Sequence, residues 1–126
     1  MDKRSREWLK QADYDIDTAE YMFTGGKFFY AFFMCHLSVE KAIKGLYQQH
    51  LKETPPKTHN LVYLLKKIDI RPAETVGKFI VKLNEASVVT RYPEDIDKLQ
   101  QQYTKDVTKN IIEESKKVLE WIKELF

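Results

Sequence analysis

One cysteine, four glycines and four prolines in 126 residues leave this chain few materials for bridges and turns. Cys35 has no second cysteine to pair with, so an intramolecular disulfide is excluded, and its place in an apolar run fits a reducing compartment. The scarcity of glycine and proline argues against a loop-rich or all-β fold, which spends those residues on turns. No apolar run approaches the roughly 18 residues of a membrane span. The opening MDKRSREWLKQ has no apolar stretch behind its charges and does not read as a signal peptide, so a cytoplasmic protein is expected. An excess of one charge is also missing. Lys plus Arg is 21 and Asp plus Glu is 19, a net charge of +2. That balance does not announce nucleic-acid binding through an overall field, and any anion site has to be local.

What is present is 43% hydrophobic and 32% charged sequence, the mixture of a globular chain. Its length suits a single domain spanning residues 1–126 with one core. Trp8, Ala12, Ile16, Ala19 and Phe23 recur at spacings of three and four and predict an amphipathic helix from about Ser5 to Phe23. Ser5 is its expected N-cap, and TGG at Thr24–Gly26 ends it. A second helix is predicted from about Lys27 to Leu51. Its first half, FFYAFFMC, is apolar all round and its second half is amphipathic. Phe28, Phe29, Phe32 and Phe33 exceed what one face of a small bundle is expected to bury, which points to a homodimer.

ETPPK breaks the chain. Thr58 is the expected cap of a short third helix carrying Leu61, Leu64, Leu65 and Ile68. Pro72 suits the first turn of a fourth, with Val76, Phe79, Ile80, Leu83 and Ala86 on one face and an end near Thr90. Residues from Arg91 to Tyr103 read as polar and irregular. Thr104 caps a last helix with Val107, Ile111, Val118, Ile122 and Leu125 as its stripe. The expected fold is all-α, a five-helix up-and-down bundle with two long and several shorter helices.

Most chemistry-bearing motifs are absent. There is no H-E-x-x-H or C-x-x-C, and His36 and His50 lie roughly 21 Å apart along one helix, so no metal site is expected. Gly25-Gly26 lacks the lysine and hydroxyl of a phosphate loop, and no G-x-S-x-G is present. No cofactor is implied. Two clusters remain. His36, Glu40 and Lys44 lie four apart and stack on one helix face, either as a charged face or as part of a cleft. Phe33 and Ile43 share that face, so it is not freely solvated. Asp15 sits on an apolar stripe and needs a partner, for which Lys41, Lys44 and Arg91 are candidates. Arg91 and Tyr92 precede Pro93 at a helix end. They either close that end or present a guanidinium for phosphate beside an aromatic face for a base.

Together these segments resemble the HEPN family of helical nucleotide-binding domains. The likeness rests on WLKQADYDIDTA, on the E-K-A-x-K run at Glu40–Lys44, on KTHNLVYLL, on TRYP and on YTKDV, in that order along nearly the whole chain. It implies a five-helix bundle that dimerises through its second and fourth helices, so that two arginine turns face one cleft. It further implies a minimal nucleotidyltransferase as protein partner, in a toxin–antitoxin-like pair. The ligand would be a nucleotide or single-stranded RNA, held by Arg91, Tyr92, Lys41, Lys44, Glu40, His36 and Asp15.

Many HEPN relatives are metal-independent ribonucleases that carry a histidine separated from the arginine by four to six intervening residues. Here those positions hold Ile96, Asp97 and Lys98. Arginine stabilises a charged phosphorane but moves no protons, whereas histidine does so near neutral pH. The expectation is therefore a binding module. A ribonuclease with a non-standard base, His36 or His59, and a purely structural interaction subunit are the rivals. Tyr103 is a nucleotidylation target by analogy with paired HEPN proteins, or simply packs its loop.

Overall fold

The computed structural model describes residues 1–126 as six helices and no strand. They are α1 Lys3–Thr24, α2 Phe28–Leu51, α3 Leu61–Lys67, α4 Glu74–Arg91, α5 Ile96–Gln102 and α6 Lys105–Glu124. The two long N-terminal helices form an antiparallel hairpin, and α2 is the central rod, packed by α1, α6, α3, α4 and α5. Its burial follows from its sequence, since fifteen of its residues are enclosed, from Phe29 to Gln48. No helix is long and apolar enough to cross a membrane.

Local chemistry sets the boundaries. The side chain of Asp2, not Ser5, caps α1 by accepting from the Ser5 amide at 2.8 Å. Ser5 is buried instead, with its carbonyl oxygen close to Gly45 of α2. Gly25 caps the C-terminus of α1, and Gly26 takes φ 75° to turn the chain into α2, a left-handed conformation that glycine adopts at no steric cost. α3 is capped by Asn60 and not by Thr58. Asn84 of α4 accepts from the Leu61 amide at 2.7 Å and donates to Asn60, tying α3 to α4. Pro72 lies just ahead of α4, whose N-cap is Ala73.

The expected irregular stretch after Arg91 contains a helix. Asp95 accepts from the amides of Asp97 and Lys98 and nucleates α5, whose single buried residue is Leu99. One apolar anchor in seven residues is too little periodicity to read from sequence. Thr104 caps α6 as expected, with Asp106 in its first turn and Lys123 in its last.

The protomer encloses more of its phenylalanines than expected. Phe29 and Phe32 are buried in the core, and Phe28 and Phe33 are partly covered. Two of the four phenylalanines, Phe28 and Phe33, keep part of their surface outside the protomer core.

At Gly45 the α1–α2 hairpin closes tightly. A Cβ there would lie 3.0 Å from Trp8 Cβ, 3.2 Å from the Ser5 carbonyl oxygen and 3.3 Å from Phe126 Cζ. The backbone oxygen cannot move aside cheaply. Gly45→Ala is expected to destabilise the fold by about 1–3 kcal/mol, because overpacking outweighs the roughly 1 kcal/mol that alanine contributes to helix propensity. Urea denaturation measures this, and a variant as stable as the parent would refute the close packing.

Candidate functional site

The site is built on one stripe of α2. Phe33, His36, Glu40 and Lys44 follow one another at helical spacing and face inward. Glu40 is the hub. It is 3% exposed, and its Oε2 accepts from Lys44 Nζ at 3.0 Å. Its Oε1 lies 2.8 Å from His59 Nδ1 and 4.0 Å from His36 Nδ1. Lys44 Nζ also sits 5.8 Å from the ring centroid of Trp8, so a cation in a confined place has both a carboxylate and an aromatic face.

His59 comes from the loop ahead of α3. A carboxylate only accepts hydrogen bonds, so the hydrogen bond to Glu40 places a proton on Nδ1. The His59 side chain is 56% exposed, which leaves the other face of the ring to solvent. An imidazole fixed by a carboxylate in this way is the arrangement general bases use.

His36 is fully buried, and neither ring nitrogen has a protein partner. Burial is the main force on it and pushes its pKa down to about 4. Glu40 opposes that shift, and the charges of Arg91 and His59 add to it. The ring is neutral at physiological pH, and three charged or chargeable side chains lie around it.

Arg91 is the last residue of α4 and points back over α2. Its guanidinium carbon lies 4.7 Å from the ring centroid of Phe33, and its Nη2 is enclosed without a hydrogen-bond partner. It forms no ion pair, whereas Lys41 pairs with Asp15 at 2.9 Å and Lys44 with Glu40. The partner of Asp15 is therefore Lys41, among the three candidates. The Asp15–Lys41 pair ties α1 to α2, and Glu40 holds Lys44 on its own helix and His59 from the loop ahead of α3.

Tyr92 does not join the cluster. It is 73% exposed and lines a separate depression with Val88, Val89, Lys98 and Leu99. His59, in turn, enters the cluster from a position that sequence spacing places only at a helix entry. The T-H-N-L run is its one signal. No group of three or more His, Cys, Asp or Glu side chains is placed to hold a metal ion. A cavity of about 690 Å³ between α3 and α4 lies apart from these charges and is walled by Val62, Leu65, Pro72 and Ile80.

The HEPN domain profile matches residues 5–125. The chain belongs to the HEPN family. This HEPN domain is similar in structure to TT1696 from Thermus thermophilus, with a TM-score of 0.82 and 25% identity over 99% of this chain and 100% of that one. It is similar also to ST0689, an archaeal HEPN homologue, with a TM-score of 0.75 and 25% identity over 98% of each chain. Among curated proteins none matches. The resemblance carried by the α1, EKAIK, THNL and TRYP segments is thus confirmed for family and fold.

Proposed function

We propose that this HEPN domain binds a nucleotide or single-stranded RNA through Arg91, as a homodimer that acts with a minimal nucleotidyltransferase in a toxin–antitoxin-like pair. The observation that carries the reading is the unpaired guanidinium. An arginine that stacks on Phe33, has no carboxylate and holds an enclosed, unsatisfied Nη2 is ready for an anion. Asp15 and Glu40 position Lys41 and Lys44, and His36, being neutral, adds no second cation beside the guanidinium. Tyr92, exposed on the outer side of α4, offers its ring to a base only where a second copy brings that face to the ligand.

The outer face of α4 supports the dimer. Val81, Val88, Val89 and Tyr92 lie exposed along it, and Val88 is 64% exposed. A helix apolar on both faces needs a second cover, and a second copy laid along α4 brings two Arg91 turns together.

Calorimetric titration with mononucleotides, dinucleotides and short RNA tests the reading. Arg91→Ala is expected to weaken binding about tenfold or more, the worth of a charge-assisted hydrogen bond, and Arg91→Lys to restore part of it. Absence of binding by the parent protein, or full binding by Arg91→Ala, overturns the proposal. Light scattering reads the dimer in the same samples.

The His59–Glu40 hydrogen bond favours a second reading, a metal-independent ribonuclease whose base is not the usual one. Cleavage of RNA in the presence of EDTA that is lost in His59→Gln would select it over binding alone.

A further inference from the structure

A depression of about 500 Å³ beside the first turns of α1 is lined by Lys3, Arg4, Glu7, Trp8 and Gln11, and Trp8 is its one apolar wall. Lys3 and Arg4 are exposed and neither pairs with a carboxylate. Helix electrostatics do not account for them. The first turn of α1 carries no acid, and cations are disfavoured at the positive end of a helix dipole. Their neighbour Arg6 is already engaged, donating to the Met1 carbonyl at 2.9 Å. Glu7, the one acid in the wall, accepts from Gln11 at 3.2 Å. The backbone amides of this helix start play no part, since the Asp2 carboxylate caps them.

Trp8 joins the depression to the site on α2. It is partly exposed, and its ring centroid lies 5.8 Å from Lys44 Nζ. Lys44 is held by Glu40, and Glu40 also holds His59, whose side chain is 56% exposed. Contacts therefore run from Arg91 over Phe33, past His36 and Glu40, to Lys44 and Trp8. Phe33 and Lys44 are eleven residues apart on α2, a rise of about 17 Å. Unsatisfied polar atoms mark both ends of this seam: Arg91 Nη2 and the His36 ring at one, Gln48 Oε1, one turn beyond Lys44, at the other.

We propose that the depression is the second subsite of a single-stranded RNA track that starts at Arg91, with Trp8 stacking on a base and Lys3 and Arg4 binding the flanking phosphates. The proposal rests on the Arg91 reading and gives its ligand a length. Single strands are bound by aromatic rings that stack on bases beside cations that follow the backbone. Trp8, Lys3 and Arg4 supply that combination, and the Gln11 amide can both donate to and accept from a base edge. A mononucleotide on Arg91 does not reach Trp8 across the rise of α2, whereas a short strand does. A duplex keeps its bases stacked on one another and offers none to the ring.

Calorimetry with UMP and with an eight-nucleotide uridine RNA tests the track. Trp8 and Trp121 are the two tryptophans, so in a Trp121→Phe background fluorescence reports Trp8 alone. The RNA is expected to bind at least about tenfold more tightly than UMP, the worth of one stacked base, and to quench Trp8. The double replacement Lys3→Gln, Arg4→Gln alters only exposed side chains. It is expected to remove the advantage of the RNA, leave UMP affinity unchanged, and make the slope of log K against log salt shallower by about 1.4, the share of two phosphate contacts. Arg91→Ala is expected to weaken both probes. RNA bound no more tightly than UMP, or bound undiminished by the Lys3→Gln, Arg4→Gln protein with Trp8 unquenched, overturns the subsite and leaves the Arg91 reading standing. Affinities for both probes that are unchanged in Arg91→Ala overturn that reading and the track with it.

Discussion

Replacing Glu40 with alanine is expected to destabilise the fold by about 3–5 kcal/mol, the usual cost of removing one member of a buried charge pair. Glu40 and Lys44 are enclosed together, with side chains 4% and 8% exposed. Removing the carboxylate leaves an ammonium against Trp8 with no counter-charge and releases His59 from its 2.8 Å hydrogen bond. For a domain of this size the loss amounts to about 10 °C or more in melting temperature. The double replacement Glu40→Met, Lys44→Met separates two explanations. If the cost is the stranded charge, removing both charges restores most of the stability. If it is lost packing, the double variant is no better than the single one. Chemical denaturation of the three variants decides this, and a Glu40→Ala protein within about 1 kcal/mol of the parent would show that Lys44 finds solvent instead.

The bundle is legible in the sequence because its long helices advertise themselves. Alternation of apolar residues by threes and fours along α1 and α6, the PP break after α2 and the Gly25-Gly26 turn are local signals, and each boundary they predict lies within a few residues of the observed one. α5 escapes because its helical character comes from the Asp95 cap and one buried leucine rather than from a stripe. The caps of α1 and α3 are ambiguous for a related reason. Asp2 and Ser5 are both good caps in sequence, as are Thr58 and Asn60, and only packing against α2 and α4 decides between them. The phenylalanine run is harder to read, because periodicity cannot count how many neighbours will surround a helix. α2 has five, and they cover most of what it displays.

The site divides along the same line. The His36–Glu40–Lys44 stack and the Asp15–Lys41 pair lie within one helix or one hairpin, so spacing and polarity are enough to find them. His59 is nineteen residues from Glu40, across a loop that no periodicity spans. Arg91 reads from sequence as a helix-end cation, but its stacking on Phe33 depends on the crossing of α4 over α2. The expected pairing of Arg91 with Tyr92 in one cleft fails within the protomer for a simple geometric reason. Adjacent residues at a helix end leave it in different directions, so an inward arginine sends the next side chain outward.

Stability is expected to fall by about 3 kcal/mol more than in a His36-free variant as pH drops from neutral to 4, the worth of a histidine pKa lowered by roughly two and a half units. His36 titrates near 6.5 when exposed and at about 4 when folded. Its folded pKa is the lower one, so the unfolded chain takes up the proton first. The contribution is therefore fully present above 6.5, erodes as pH falls, and is gone below 4. Carboxylates also lose their pairs in acid, so the comparison is with His36→Leu, whose stability should decline less steeply between pH 6.5 and 4 while the region above 6.5 stays parallel. Urea denaturation across that range reads the slopes, and NMR titration reads the ring. A His36 that titrates near 6.5, or slopes that remain parallel, would refute the buried neutral imidazole. The same neutrality matters to Arg91. A protonated His36 would place a second cation beside a guanidinium that has no carboxylate of its own, and the two would repel across a poorly solvated gap. Keeping His36 uncharged is what lets the fold hold Arg91 inward and unpaired, with its charge free for a ligand.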